Sequence, residues 1–117
     1  SIIQTEIGQS EARLKAARIF LLSELEDIWD AVSSSQTVTI SQRMRIRLAS
    51  THAIHEARTV ANAVYDAAGA SAIFAGTPFQ RRFRDIHTAA QQIQGRKAHF
   101  QTVGSFLLGH PPDLSMA

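Results

Sequence analysis

Apolar residues recur every three or four positions along most of the chain, which is the spacing of one face of an α-helix. The first run contains Ile7, Leu14, Leu21, Leu25, Ile28 and Val32. Three consecutive serines, Ser33 to Ser35, follow it, and their side chains compete for backbone hydrogen bonds and disfavour continuation of a helix. The pattern therefore predicts a first helix from about Thr5 to Val32.

A second helix is predicted from the segment Thr39-Ile40-Ser41-Gln42 onward. This segment has the spacing of a capping box, with a hydroxyl at the first position and an amide three residues later. The helix should end near Gly69. Its predicted inward face is rich in small residues, which allow a close approach of helices, and consists of Met44, Leu48, Ala57, Ala61, Val64 and Ala68.

Two further helices are predicted in the last third of the chain. Thr77-Pro78 is a helix-start signal, and Gly95 should break the helix that begins there. The fourth helix should run from about Arg96 to Leu108 and end at Gly109. The predicted inward residues are Phe79, Phe83, Ile86, Ala90 and Ile93 of the third helix and Phe100, Val103, Phe106 and Leu107 of the fourth.

Four helices joined by short loops pack best as an up-down antiparallel bundle, so the predicted fold is an all-α four-helix bundle. Strand signals are nearly absent, because Val38-Thr39-Ile40 is the only β-branched cluster. We expect residues 1–117 to form one helical domain with a disordered tail over residues 110–117. The chain begins at Ser1 within a helical pattern and without an initiator Met, so we expect it to be a fragment of a longer protein.

Composition excludes several classes of function. The 117 residues contain no cysteine, which removes thiol nucleophiles, redox pairs and cysteine-ligated zinc. The longest apolar runs, Ile19 to Leu22 and Ser105 to Leu108, are far shorter than the roughly 20 residues that cross a bilayer. We therefore expect a soluble, cytoplasmic protein with no membrane partner.

Metal and nucleic-acid binding are also not predicted. His52, His55 and Glu56 lie within about one helical turn, but no facing residues complete a ligand set. There are two basic clusters, Arg43 to Arg47 and Arg81 to Arg84, and the first of them spreads around its helix. Asp and Glu nearly balance Lys and Arg, and no recognition-helix motif is present. Phosphate-binding loops and nucleophile motifs are absent, so we do not expect a self-contained enzyme.

The strongest local pattern is Ala68-Gly69-Ala70-Ser71-Ala72 followed by Pro78-Phe79-Gln80-Arg81-Arg82-Phe83-Arg84-Asp85. It resembles the C-terminal helical domain of the acyl-CoA dehydrogenase superfamily, which includes flavin-dependent monooxygenases. The opening segment Gln9 to Arg18 and the closing segment Val103 to Gly109 are similar to that domain too. The resemblance therefore covers essentially the whole chain.

The resemblance implies a three-domain flavoprotein with helical, β and helical domains, of which this chain is the last. It implies a homo-oligomer, dimer or tetramer, and contacts with upstream domains that hold most of the flavin and substrate site. The implied cofactor is FAD, with FMN as the alternative, and the implied substrate is an acyl-CoA or an aromatic compound.

The resemblance also assigns a flavin-contacting turn. Gly69 and Ala70 match the two glycines that approach the flavin diphosphate, and Gly69 suits the close approach of a backbone to phosphate. Asp66 stands where the family has a Gln, and its carboxylate would repel a diphosphate.

Candidate catalytic positions depart from the family pattern. Gln94 lies where the dehydrogenases carry the glutamate that removes the substrate proton, and an amide has no basic lone pair near neutral pH. Gln92 aligns with the histidine of the monooxygenases, and His87 lies more than a turn earlier as another weak candidate. The pair Arg84-Asp85 is predicted to be structural, because an arginine fork can bridge to other helices.

Three functions remain open at this point. The first is the helical domain of an acyl-CoA-dehydrogenase-like oxidoreductase, inactive without its other domains. The second is the same domain of a monooxygenase that uses reduced flavin and oxygen. The third is a stand-alone helical interaction module.

Overall fold

In the computed structural model, which describes residues 2–68, 78–91 and 96–112, the chain folds into four α-helices. Helix α1 spans Ile2–Ser33, α2 spans Ile40–Ala68, α3 spans Pro78–Ala90 and α4 spans Ala98–Leu107. All regular secondary structure in these three ranges is helical, which confirms the all-α four-helix prediction. Several predicted positions lie outside the described residues or side chains: Ala68, Phe79, Phe83, Ala90, Ile93, Gly95 and residues 113–117 of the predicted tail.

The two long helices, α1 and α2, pack against each other in antiparallel directions. Arg13 of α1 forms an ion pair of 3.0 Å with Glu56 of α2. Farther along α1, Glu24 and Asp27 each lie 3.2 Å from Arg45, which is near the start of α2. As residue numbers rise along α1, the numbers of their partners on α2 fall, which is the pattern of antiparallel helices.

Helix α2 is the element against which each of the other three helices packs. On the α3 side, His87 contacts Asn62, and on the α4 side, the ring of Phe100 lies 5.6 Å from the ring of His55. Helices α3 and α4 thus both meet the second half of α2, which positions the side chains of the two concavities described below.

Small side chains dominate the buried contacts. Ala17 of α1 and Ala49 of α2 are buried, and so are Met44 and Val103, two of the residues predicted to face inward. Leu107 was predicted to face inward and is instead 73% exposed. Eight residues carry it about 80° around α4 from the buried His99, which moves it off the packed face.

The start of α2 has the predicted capping box. The backbone N–H of Gln42 donates to Oγ1 of Thr39 over 3.0 Å, and the backbone N–H of Thr39 donates to Oε1 of Gln42 over 2.9 Å. Two backbone donors that the helix leaves without carbonyl partners are satisfied reciprocally. This local signal set the start of α2 correctly.

Helices α1 and α4 end in the same backbone motif with different residues at the left-handed position. After α4, the N–H of His110 donates to the carbonyl of Ser105 over 3.1 Å, and Gly109 has φ +95°. After α1, the N–H of Gln36 donates to the carbonyl of Ala31 over 2.8 Å, and Ser35 has φ 59°. Both ends are Schellman motifs, and the one after α1 places a serine where glycine is favoured.

None of the helices in the described ranges combines the length and the apolar character that a bilayer crossing requires.

Candidate functional site

An apolar groove lies where α1, α2 and α3 meet. Small and branched side chains on one face of α2 leave a cleft of about 530 Å³ between the flanking helices. Leu14 closes the α1 side, and Ile86 and Arg82 close the α3 side. The α2 residues that line it are Ala57, Val60, Ala61 and Val64. Among the described residues that line it, the groove has an apolar surface with one cation, Arg82, at its edge, which suits an apolar or aromatic group that carries a negative charge.

A second concavity, which we call the cationic pocket, lies between α2 and α4. It has a volume of about 340 Å³. Its lining residues are His55, Arg58, Thr59 and Asn62 of α2, with Lys97 and Phe100 at the start of α4. Because its lining is polar and includes two cations, this pocket differs in chemistry from the apolar groove.

His87 joins α3 to α2. Its Nε2 lies 2.8 Å from Oδ1 of Asn62, a contact that holds when Nε2 carries the proton and donates it. His87 is half-buried in the last turn of α3. The sequence alone does not identify Asn62, because a pairing across 25 positions depends on how two helices rotate against each other.

The predicted flavin-contacting turn is only partly within the described structure. Asp66 is exposed on α2, one helical turn beyond Asn62. Gly69, Ala70, Gln92 and Gln94 lie outside the described residues, so their assigned roles stay predictions.

Arg84 and Asp85 are both exposed on α3. Neither forms an ion pair with any other residue in the part of the chain that the structure describes. Their structural role therefore stays a prediction, and it requires partners beyond these described residues.

The histidine-rich stretch of α2 is occupied by contacts within the bundle. Glu56 binds Arg13, and its other oxygen lies 3.6 Å from Nε2 of His52. His55 packs against Phe100. Across residues 2–68, 78–91 and 96–112, no group of three or more His, Cys, Asp and Glu side chains is placed to hold a metal ion.

Comparison with protein families gives one match that covers most of the chain. A family model described as "Acyl-CoA dehydrogenase, C-terminal domain" matches residues 1–96.

Among curated proteins, the chain is 27% identical to an indole-3-acetate monooxygenase of Pseudomonas putida over 111 residues, which are 95% of this chain and 28% of that protein. It is 36% identical to a pigment production hydroxylase of Rhodococcus erythropolis over 81 residues, which are 69% of this chain and 21% of that protein. The chain thus spans less than a third of the length of these relatives.

Among solved structures, the crystal structure of 3-HSA hydroxylase from Rhodococcus sp. RHA1 superposes with a TM-score of 0.91 at 22% sequence identity. The match covers 99% of this chain and 31% of that one. At this identity the likeness establishes the fold of the chain.

Proposed function

Because the chain belongs to the family of acyl-CoA dehydrogenase C-terminal domains, we propose that it is the C-terminal helical domain of a flavin-dependent monooxygenase that hydroxylates an aromatic compound. The observation that carries this proposal is the similarity to indole-3-acetate monooxygenase along 95% of the chain. The likeness to two proteins named hydroxylases supports the same choice.

The alternative is an acyl-CoA dehydrogenase of the same architecture. That reaction requires a base that removes a proton next to the thioester carbonyl. The residue that resembles the family base is Gln94, and its amide cannot accept that proton. Gln94 therefore counts against the dehydrogenase, but Gln92 likewise replaces the monooxygenase histidine, so the choice between the two rests on the similarity to the monooxygenases.

The described residues alone do not fit a complete flavin. The apolar groove is an open cleft with one cation, Arg82, and the exposed carboxylate of Asp66 lies near the end of α2 that precedes the predicted diphosphate turn. A carboxylate repels a diphosphate rather than binding it. We therefore assign most flavin contacts to other domains, with FAD as the proposed flavin and FMN as the alternative.

We assign two roles to this chain: it brings copies of the protein together, and its apolar groove forms one wall of the substrate site. One face of α1 exposes a row of large apolar side chains, Leu22, Leu25, Trp29 and Val32. Exposed apolar rows of this kind mark surfaces that another protein surface covers. We propose that a second copy of the chain covers this α1 row in a homodimer or homotetramer, and that upstream domains cover the apolar groove.

Two parallel assays on the complete protein that carries this chain test the proposal. In the first, the protein receives reduced flavin, oxygen and a panel of phenols and indole-3-acetate, and products are identified by mass spectrometry. We expect a product that has gained one oxygen atom. In the second, the protein receives acyl-CoA substrates and an artificial electron acceptor, and we expect no acyl-CoA-dependent reduction of the acceptor.

Reduction of the acceptor by an acyl-CoA, without hydroxylation in the first assay, would establish the dehydrogenase instead. A complete protein that binds no flavin would support the third possibility, an interaction module.

A further inference from the structure

We propose that the cationic pocket between α2 and α4 binds the phosphate group of a small phosphate monoester. The pocket is separate from the apolar groove, and the proposal holds whether the complete protein is a monooxygenase or a dehydrogenase. The proposal is argued from two cations without a carboxylate partner in the described ranges, from an amide donor beside them and from two aromatic rings in the pocket wall.

Two cations converge on the pocket without a counter-charge. Arg58 is half-buried on α2, and Lys97 stands directly before α4. Neither of them forms an ion pair within the described ranges, whereas Arg13 and Arg45 each bind carboxylates. The two cations in the pocket repel each other, and a bound anion offsets this repulsion because it attracts both of them.

The remaining polar groups of the pocket favour an anion over a cation. Because Oδ1 of Asn62 accepts the hydrogen bond from His87, the group that Asn62 can offer to the pocket is its NH₂, a donor. The first turn of α4 contains no acidic residue, and no side chain caps it. The positive end of the α4 dipole therefore adds to the charges of Arg58 and Lys97.

Thr59 does not add a donor. Its hydroxyl donates to the carbonyl of His55 over 3.0 Å, so its proton is already used. The predicted recognition of the anion thus depends on Arg58, Lys97 and Asn62.

Size and shape indicate a phosphate monoester rather than a bare carboxylate. The planar fork of Arg58 and the point charge of Lys97 match two of the three terminal oxygens of a phosphate, and Asn62 can serve the third. The rings of His55 and Phe100, tilted by 49° to each other, form a wall against which an attached ring can pack. A volume of about 340 Å³ is large enough for a phosphate with a small ring.

Isothermal titration calorimetry on the complete protein tests the proposal, with inorganic phosphate and phenyl phosphate as probes at constant ionic strength. We expect saturable binding of both probes, with phenyl phosphate the tighter because its ring can reach the aromatic wall. Arg58→Gln and Lys97→Gln should each weaken binding at least tenfold.

The matched control is Arg18→Gln. Arg18 is an exposed arginine of α1 that forms no ion pair within the described residues, and its loss should leave phosphate binding unchanged. Thermal melting shows whether Arg58→Gln lowers stability. If it does, Lys97→Gln still tests the proposal, because Lys97 is exposed and its replacement should leave the fold intact.

Three results would overturn the proposal. These are the absence of saturable binding, equal loss of binding in the Arg18 control, and unchanged affinity in the Lys97 variant. Failure here leaves the proposed monooxygenase activity untouched, because that activity is measured by its product.

Discussion

His87 and Asn62 are joined by a 2.8 Å contact between Nε2 and Oδ1, which ties the last turn of α3 to the middle of the second half of α2. The donor and acceptor are 25 positions apart along the chain. Between them lies the segment 69–77, so this hydrogen bond closes the connection from α2 to α3.

We predict that Asn62→Ala loosens α3 selectively. Loss of one such hydrogen bond costs about 0.5–1.5 kcal/mol. Because the contact lies at the α2–α3 junction, amide hydrogen exchange should accelerate by about three- to tenfold in α3 and stay unchanged in the α1 region around Ala17. The matched control is Thr88→Ala, since the hydroxyl of Thr88 donates to the carbonyl of Arg84 within α3 and, among the described residues, joins α3 to no other helix. An equal effect of both variants would show that His87 and Asn62 do not secure the junction.

At the two Schellman motifs, introducing a glycine after α1 and removing the glycine after α4 should have opposite effects on the free energy of unfolding. Ser35→Gly should stabilise the chain by about 0.5–1 kcal/mol, because a side chain at φ 59° is strained. Gly109→Ala should destabilise it by about 1 kcal/mol for the same reason, although no atom lies within 4 Å of the added carbon. Urea denaturation of both variants measures the two changes. Destabilisation by Ser35→Gly would indicate that the serine side chain contributes more than the strain costs.

The exposed row on α1 predicts a site of self-association. Trp29 is 71% exposed, and replacing it with a charged residue should weaken association of the chain at least tenfold, since aromatic side chains dominate interface energetics. Sedimentation equilibrium of Trp29→Arg measures this change.

Leu107→Arg is the matched control for Trp29→Arg. Leu107 is 73% exposed, which is similar to Trp29, but it lies on α4 and outside the α1 row. Equal association of the wild type and the Trp29 variant would remove this row from the proposed interface.

Arg84 is exposed and has no ion-pair partner among the described residues, so we predict that it contacts another domain or subunit. Since Arg84 is exposed here, Arg84→Ala should shift the melting temperature of the 117-residue chain by no more than about 2–4 °C, because surface substitutions change the free energy of unfolding by about 0.5 kcal/mol or less. In the complete protein the same variant should lower oligomer yield or melting temperature, because removal of one partner of a buried ion pair costs roughly 3–5 kcal/mol. Arg18→Ala serves as the control in both measurements. An unchanged complete protein would contradict the structural role of Arg84 and Asp85.

Local signals in the sequence predicted the helix ends well. Thr39 and Gln42 are three residues apart, so their reciprocal hydrogen bonds follow from the helix that they start. The serine cluster ended α1 within a residue of the expected position, and Gly109 follows α4 as expected. These features depend only on neighbours along the chain.

The contacts between helices were not predictable in the same way. The pairing of Arg13 with Glu56 requires the register of α1 against α2, and a hydrophobic pattern defines a face but not a register. Leu107 shows the same limit, because a short helix can turn its last residue away from the core without breaking the pattern. The cationic pocket was missed because Arg58 and Lys97 are 39 positions apart and meet only through the packing of α4 on α2.

Because α1, α3 and α4 all pack on α2, the helices need not unfold together. Helices α3 and α4 each rest mainly on α2, whereas α1 shares its long buried seam with α2. Either short helix can thus detach while the hairpin of α1 and α2 persists. An occupant of the groove would brace α3 on α2, and an occupant of the pocket would brace α4 on the same helix. Because Asn62 lines the pocket and also bonds His87 of α3, the two stabilising effects should be coupled rather than simply additive.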